Sequence, residues 1–226
     1  NVEADHLGEL GIVTVEELAR VKSTVAKSAE RAVILNADDT HCLDMRSTLA
    51  SPQIVLFSMD QQNAEVSAHL KADGIAYVLS RSGDDEVILR ATPSTQTEVA
   101  RIKDLPITMG GYARHNIQNA MAALAALEQL DLEPRKVVDA VKTFVPTLES
   151  NPGRLNTIEG FPFTVMLDYA HNEHGFKAIA EFVRFSRPQG RKICVVSMNA
   201  GRVSDGTAQE AMKSLAGAFD SYVTFS

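Results

Sequence analysis

Residues 163–198 read FTVMLDYAHNEHGFKAIAEFVRFSRPQGRKICVVSM, and this stretch decides the fold class. Short apolar runs lie at both of its ends, each bounded by polar or turn-forming residues, which is typical of buried strands. The predicted order is strand 163–167, helix 175–185, strand 193–198, helix 208–219 and strand 222–225. This alternation is the unit of a doubly wound parallel sheet, so the C-terminal part is predicted to be a Rossmann-like α/β domain.

A second α/β pattern lies upstream of this unit. Thr14 followed by Glu17 is a capping-box pattern, which predicts a helix beginning near Val15. Apolar runs then predict strands, while alanine-rich or proline-initiated segments predict helices. The strands are expected at 31–35, 54–58, 75–79 and 86–91, and further helices at 66–71, 115–130 and 134–144.

A linker is predicted where the two patterns meet. Proline, serine, asparagine and glycine crowd together over residues 146–153, which is typical of a domain boundary. The predicted domains are therefore 1–146 and 151–226. The chain starts with Asn1 and stops at Ser226 directly after a strand-like run, so both ends are expected to be cuts or processing points.

The composition excludes several classes of function. The 226 residues are 45% hydrophobic with a net charge of -7, and no run of Lys and Arg stands out. Nucleic acid and anionic membranes therefore have no support as partners, and a small molecule is favoured. No stretch reaches the roughly 18 apolar residues of a membrane span. With two isolated cysteines, Cys42 and Cys194, the chain suggests neither a disulfide framework nor a zinc site and fits a reducing cytoplasm.

Polar residues at the carboxyl end of the strand at 163–167 are the first candidate site, since ligands bind there in open parallel sheets. Asp168 is suited to accept hydrogen bonds from a ribose, and His171 to contact phosphate or water. The alternative is that both residues cap the helix that follows. Arg154, just beyond the linker, is suited to an anion but is equally a surface charge.

Other candidates lie in the first domain. His6 is a candidate ligand for a divalent metal, although a single histidine is more often a loop or cap residue. Lys22 sits on the predicted helix, where a lysine is usually solvated and becomes reactive only when desolvated. Asn116 and Asn119 are one turn apart on a predicted helix, so they share a face that suits either an adenine edge or helix capping.

Six segments in order carry a resemblance to a known family. They are NVEADHLG at 1–8, TVEELARVK at 14–22, VILNADD at 33–39, RHNIQNAMAALAA at 114–126, NPGRLN at 151–156 and VMLDYAHN at 165–172. The set resembles the Mur ligase family, and most closely the C-terminal half of its cyanophycin synthetase members. The resemblance implies the second part of a central ATPase domain, followed by the first part of a Rossmann-like C-terminal domain.

The resemblance also implies roles for the candidate residues. His6 matches the family's magnesium ligand, and Lys22 matches a lysine that several members carbamylate to hold a second Mg²⁺. The remaining matches are to the ATP site: Asn116 and Asn119 lie at adenine positions, Arg154 at the hinge arginine, Asp168 at the ribose-contacting aspartate and His171 beside it.

The implied reaction activates a carboxylate as an acyl phosphate with ATP, after which an amine displaces phosphate to form an amide. Cyanophycin-type partners would be an amino acid, arginine, and an aspartate-bearing acceptor peptide. Two magnesium ions suit this chemistry because they neutralise charge between carboxylate and triphosphate. Peptidoglycan-type and folate-type ligases share the DYAH, NADD and HN-x-x-N patterns, and a non-catalytic assembly module is a further alternative. A dinucleotide oxidoreductase is disfavoured because no G-x-G-x-x-G follows a predicted strand.

The chain departs from the family in two places. No G-x-x-x-x-G-K-[ST] phosphate loop occurs in it, so the isolated chain is expected to be inactive. Residues 199–206, NAGRVSDG, differ from the loop of cyanophycin synthetases, which leaves the choice of substrate open. Because the sheet is expected to be incomplete without the upstream part, an exposed strand edge is expected to promote self-association.

Overall fold

The computed structural model describes residues 1–4, 7–8, 10–50, 53–197 and 211–225. They divide into two compact units. The first comprises Asn1–Gly111 and His115–Phe144, and the second comprises Tyr112–Arg114 and Val145–Ser226. The change of unit after Phe144 lies beside the linker at 146–153, and the assignment of domains 1–146 and 151–226 stays a prediction.

The first unit alternates helices and strands. Its helices are α1 (Val15–Lys27), α2 (Thr40–Asp44), α3 (Ala64–Lys71), α4 (Arg114–Glu128) and α5 (Pro134–Thr143). Its strands are β1 (Ala32–Asn36), β2 (Gln53–Ser58), β3 (Ile75–Ser82), β4 (Asp85–Ala91) and β5 (Gln96–Arg101).

The predicted start of α1 is confirmed by its capping box. The Thr14 hydroxyl accepts the Glu17 amide at 3.1 Å, and the Glu17 carboxylate accepts the Thr14 amide at 3.2 Å. The two residues thereby satisfy donors that a helix start would otherwise leave unpaired. On α1 the side chains of Leu18 and Ala26 are buried, whereas those of Val21 and Val25 are exposed.

The sheet of the first unit has the order β1-β2-β3-β4-β5. β1, β2 and β3 run parallel, and β4 and β5 add antiparallel pairs. Residues 55–57 are buried, and their side chains point to both faces of the sheet: Val55 and Phe57 belong to the core with α4, and Leu56 to the core with α1 and α3. Burial on both faces explains why β2 reads as a continuous apolar run rather than an alternating one.

The second unit departs from the predicted single parallel sheet. β8 (Ile193–Ser197) and β9 (Ser221–Phe225) pair in parallel, as expected. The predicted strand at 163–167 is instead β7 (Val165–Leu167), which forms an antiparallel hairpin with β6 (Asn156–Ile158). With only three residues, β6 is too short for an alternating pattern to reveal it.

The helix of the second unit, α6 (Glu173–Ser186), begins at an N-cap formed by Asn172, whose side chain accepts the Gly175 amide at 2.8 Å. Phe176 and Ala180 of this helix share a core with Val196 and Leu215. The second predicted helix, 208–219, is described only from Ala211 onward. Across the described ranges, no helix has the length and apolarity to cross a membrane.

Candidate functional site

A polar cluster lies at the carboxyl ends of β1 and β2 in the first unit. The Asp38 carboxylate accepts the Ser58 hydroxyl at 2.5 Å, the Met59 amide at 2.7 Å and the Asn63 side chain at 3.1 Å. These bonds tie the loop after β1 to the loop after β2. Asp38 therefore fixes the shape of the sheet edge where parallel-sheet proteins bind ligands.

Asp39 holds the N-terminal segment against the same edge. Its two oxygens accept the Val2 amide at 2.6 Å and the Cys42 amide at 3.1 Å. Burial would raise the pKa of Asp39, but these hydrogen bonds outweigh burial and lower the pKa below its usual value. His6, a predicted magnesium ligand, lies outside the described residues.

Lys22 is exposed on α1, although it lies one helical turn from both Leu18 and Ala26, which are buried. As an ammonium it offers no lone pair to a metal, so only a modified Lys22 would act as a ligand. Within the described ranges, no group of three or more His, Cys, Asp and Glu side chains has an arrangement that could hold a metal ion. The assignment of His6 and a carbamylated Lys22 as magnesium ligands stays a prediction.

The two asparagines of α4 form a chain of amides. The buried Asn116 donates from Nδ2 to the Ile107 carbonyl at 3.0 Å, and its Oδ1 accepts Nδ2 of Asn119 at 3.0 Å. A backbone carbonyl only accepts, so its position fixes which way Asn116 points, and Asn116 in turn fixes Asn119. The exposed Asn119 keeps its Oδ1 acceptor and the second N–H of its amide to offer a ligand, with the two ends fixed by Asn116.

In the second unit, Asp168 closes the hairpin between β6 and β7. Its Oδ2 accepts the Leu155 amide at 3.0 Å, and its Oδ1 accepts the Ala170 amide at 2.8 Å. A carboxylate has about four acceptor directions, so each oxygen keeps a lone pair after these bonds. Asp168 is half-buried, which leaves it open to a ligand hydroxyl.

Arg154 and His171 flank the side chain of Tyr169 in the same unit. The Arg154 guanidinium carbon is 6.0 Å from the centre of the Tyr169 ring, within cation–π range. The His171 ring lies 5.3 Å from the Tyr169 ring, centre to centre, and its Nδ1 is 3.0 Å from the Tyr169 carbonyl. The exposed Arg154 thus presents a positive charge beside the Asp168 hairpin.

The structure brings some of the predicted site residues together. Arg154, Asp168 and His171 share one hairpin and the turn after it. Asn116 and Asn119 contact each other in the first unit, whereas Lys22 stands on a separate helix.

Asn156, which the sequence reasoning gave no role, supports the first of these groups. Its buried side chain accepts the Gly153 amide at 2.6 Å and the Arg154 amide at 3.2 Å. The signal that could have drawn attention to it is its position at the end of the turn-rich NPGRLN segment, where β6 begins.

The parallel-rich α/β fold is shared with solved folylpolyglutamate synthases. Folylpolyglutamate synthase of Mycobacterium tuberculosis, solved in complex with ADP and AMPPCP, superposes with a TM-score of 0.57 at 19% identity, covering 98% of this chain and 45% of that one. At that identity the likeness establishes the fold alone.

The chain belongs to the Mur ligase family. The family model of the Mur ligase middle domain matches residues 1–127, and that of the Mur ligase glutamate ligase domain matches residues 153–226. The predicted family and fold class are thereby confirmed.

The chain is similar to curated proteins of two kinds. Cyanophycin synthetase of Synechocystis sp. is 36% identical over 186 residues, which make up 81% of this chain and 21% of that protein. UDP-N-acetylmuramate–L-alanine ligase of Azoarcus sp. is 26% identical over 200 residues, 85% of this chain and 39% of that protein. The chain thus spans about a fifth of the first relative's length.

Proposed function

We propose that the protein is an ATP-dependent amide-forming ligase of the cyanophycin synthetase type, which joins arginine to an aspartate carboxylate. The observation that carries this proposal is the grouping of Arg154, Asp168 and His171 around one hairpin in a chain of the Mur ligase family. In the reaction, a carboxylate oxygen attacks the γ-phosphorus of ATP and ADP leaves. The arginine amine then attacks the acyl carbon, loses a proton and expels phosphate.

Each member of the hairpin group suits one part of ATP. The free lone pairs of Asp168 suit ribose hydroxyls, because a charged acceptor makes a stronger hydrogen bond than a neutral one. The exposed guanidinium of Arg154 suits a phosphate oxygen, which it meets with paired N–H donors. The main chain around both residues is fixed by Asn156 and by Asp168 itself. The hairpin could therefore bind an anion through Arg154 and a hydroxyl through Asp168 without a change in its main chain.

The amide chain of α4 suits adenine. Adenine presents an amino group at the position where guanine presents a carbonyl oxygen. Because Asn116 fixes which end of the Asn119 amide is the oxygen, Oδ1 of Asn119 would accept from the adenine amino group while the second N–H donates to a ring nitrogen. With guanine, the same Oδ1 would meet the carbonyl oxygen, another acceptor. We infer that the contact between Ile107 and Asn116 enforces a preference for ATP over GTP.

Replacing Asn116 with leucine would test this preference. Leucine has a similar volume but no amide, so Asn119 would be free to rotate and offer either end of its side chain. We expect ADP-over-GDP selectivity in the full-length protein to fall roughly tenfold, since one misplaced hydrogen bond is worth about 1–3 kcal/mol. Isothermal titration calorimetry with both nucleotides measures the change. Gln118→Ala on the same helix is the control, and unchanged selectivity in Asn116→Leu would contradict the inference.

His6 and Lys22 are the proposed magnesium ligands. A carbamate on Lys22 would turn an ammonium into a carboxylate, and oxygen ligands of that kind are those that Mg²⁺ prefers. The bound metal would supply charge neutralisation between the substrate carboxylate and the triphosphate. The exposed position of Lys22 leaves its amine accessible, but not desolvated as its reactivity requires.

The proposed function is tested by ATP-dependent phosphate release from the full-length protein, with a panel of amino acids and an aspartate-rich acceptor. We expect release to depend on arginine and to fall roughly tenfold or more in Lys22→Ala, as for groups that support a catalytic metal. Lys22→Arg keeps the positive charge but accepts no carbamate, so it should fall equally. Lys27→Ala, another exposed lysine of α1, should keep full activity.

The outcomes separate the alternatives. Release that depends on a different amino acid would replace arginine as the substrate and keep the ligase. Release without any amino acid, or none under any condition, would overturn the proposed function. Because Lys22 is exposed, its substitution should change the free energy of unfolding by only about 0.5 kcal/mol, so lost activity would not reflect unfolding.

A further inference from the structure

Tyr169 stands at the centre of the hairpin group although its side chain is 64% exposed. Its main chain is fixed, because the Tyr169 amide donates to the Gly153 carbonyl at 2.8 Å. Gly153 has a φ of +71°, and a Cβ there would lie 3.2 Å from Cβ of Tyr169. The start of the Tyr169 side chain is therefore held close against the 151–156 segment that carries Arg154.

Two cationic or potentially cationic side chains share the ring of Tyr169. The Arg154 guanidinium carbon is 6.0 Å from the ring centre, and the His171 ring centre is 5.3 Å away. The separation between Arg154 and His171 is thus at most the sum of these distances. Because the ring is so exposed, its burial adds little to the free energy of folding. We therefore look for its contribution in the way it positions neighbouring side chains.

We propose that Tyr169 is a positioning residue, whose ring holds the Arg154 guanidinium ready for the nucleotide phosphate. This inference rests on the proposed function. Arginine has a long side chain with many rotamers, and binding an anion fixes it at an entropic cost. A guanidinium already resting on an aromatic ring has fewer arrangements to lose, so the same anion binds more tightly.

The experiment compares ADP binding by the full-length protein and by matched variants, using isothermal titration calorimetry. Tyr169→Phe keeps the aromatic face and should bind ADP as the wild type does. Tyr169→Leu removes that face and should weaken binding about two- to fivefold, the range for a cation–π contact at an exposed site. Combined with Arg154→Ala, Tyr169→Leu should cause no further loss, because the ring would have nothing left to place.

A second measurement tests the contact without nucleotide. In the NMR spectrum of the unliganded protein, the Arg154 side-chain Nε–H signal should carry a ring-current shift that disappears in Tyr169→Leu and persists in Tyr169→Phe. Phe163→Leu, which removes a ring stacked on Phe161 in the same unit, is the control and should alter neither ADP affinity nor the Arg154 signal.

Failure of the two proposals would look different. If the wild type binds no ADP, the proposed function falls, and this inference falls with it. If the wild type binds ADP but Tyr169→Leu binds equally well, only the positioning role is overturned. The same holds if the losses from Arg154→Ala and Tyr169→Leu add independently.

Discussion

Replacing Asn156 with alanine should destabilise the second unit by about 3–4 kcal/mol, because several hydrogen bonds of buried or half-buried groups lose their partner at once. The Asn156 Oδ1 accepts the amides of Gly153 and Arg154, and its Nδ2 donates to the carbonyls of Pro146 at 3.3 Å and Asn151 at 3.1 Å. The side chain is only 1% exposed, so water does not reach it to replace these bonds.

The measurement is urea unfolding, with hydrogen exchange of the Gly153 and Arg154 amides as the local readout. Asn156→Asp should also be destabilised, since a carboxylate accepts both amides but cannot donate to the two carbonyls. Asn151→Ala is the matched control, because Asn151 joins this network through its main-chain carbonyl. If Asn156→Ala kept wild-type stability and amide protection, these hydrogen bonds would not be what holds the 151–156 segment in place.

Local signals account for the elements that the sequence predicts correctly. α1 has its capping box, α4 is alanine-rich, and β1, β2 and β3 are apolar runs buried within the sheet. β5 escapes such reasoning because QTEVAR is mostly polar and exposed, as suits an edge strand. The pairing of β7 with β6 was equally out of reach, since it depends on a three-residue strand and the reversal around Gly160, which has a φ of +94°.

The candidate site also contains residues that the sequence reveals and residues that it does not. Arg154, Asp168 and His171 lie within eighteen residues of sequence, so motif and turn signals place them together. Asn156 was missed because its importance comes from the carbonyls and amides that it contacts, whereas its position at the end of NPGRLN indicates only a turn. Contacts between distant segments are harder still to predict from the sequence. Tyr77 and Arg90 donate hydrogen bonds to Glu128, from which they are separated by 51 and 38 positions in the sequence.

Replacing Glu128 with alanine should destabilise the first unit by about 2–3 kcal/mol, because it leaves a half-buried arginine without its partner. Glu128 accepts the Tyr77 hydroxyl at 2.7 Å and pairs with Arg90 at 2.6 Å, joining α4 to β3 and β4. The Arg90 and Glu128 side chains are 29% and 26% exposed, so solvent screens the pair only partly. Urea unfolding at neutral pH measures the loss.

A surface pair provides the matched control. Lys136 and Glu133 lie 3.1 Å apart but are 81% and 56% exposed, so Glu133→Ala should cost only about 0.5 kcal/mol or less. An equal loss in both alanine variants would contradict the view that burial makes the Glu128 contacts matter.

The dependence of stability on pH separates the charge of Glu128 from its shape. Burial raises the pKa of Glu128, but the hydrogen bonds from Arg90 and Tyr77 outweigh burial and lower the pKa below the ordinary 4.5. A carboxylate with a lowered folded-state pKa stabilises fully above its unfolded-state pKa, and this stabilisation is lost as the pH falls through the folded-state value. Glu128→Gln keeps the shape but does not titrate. We therefore expect the wild type to exceed Glu128→Gln in stability by a constant margin at neutral pH, and the margin to shrink below pH 4.5. A margin that stayed constant down to strongly acidic pH would show that the ionised carboxylate contributes nothing beyond its hydrogen-bond geometry.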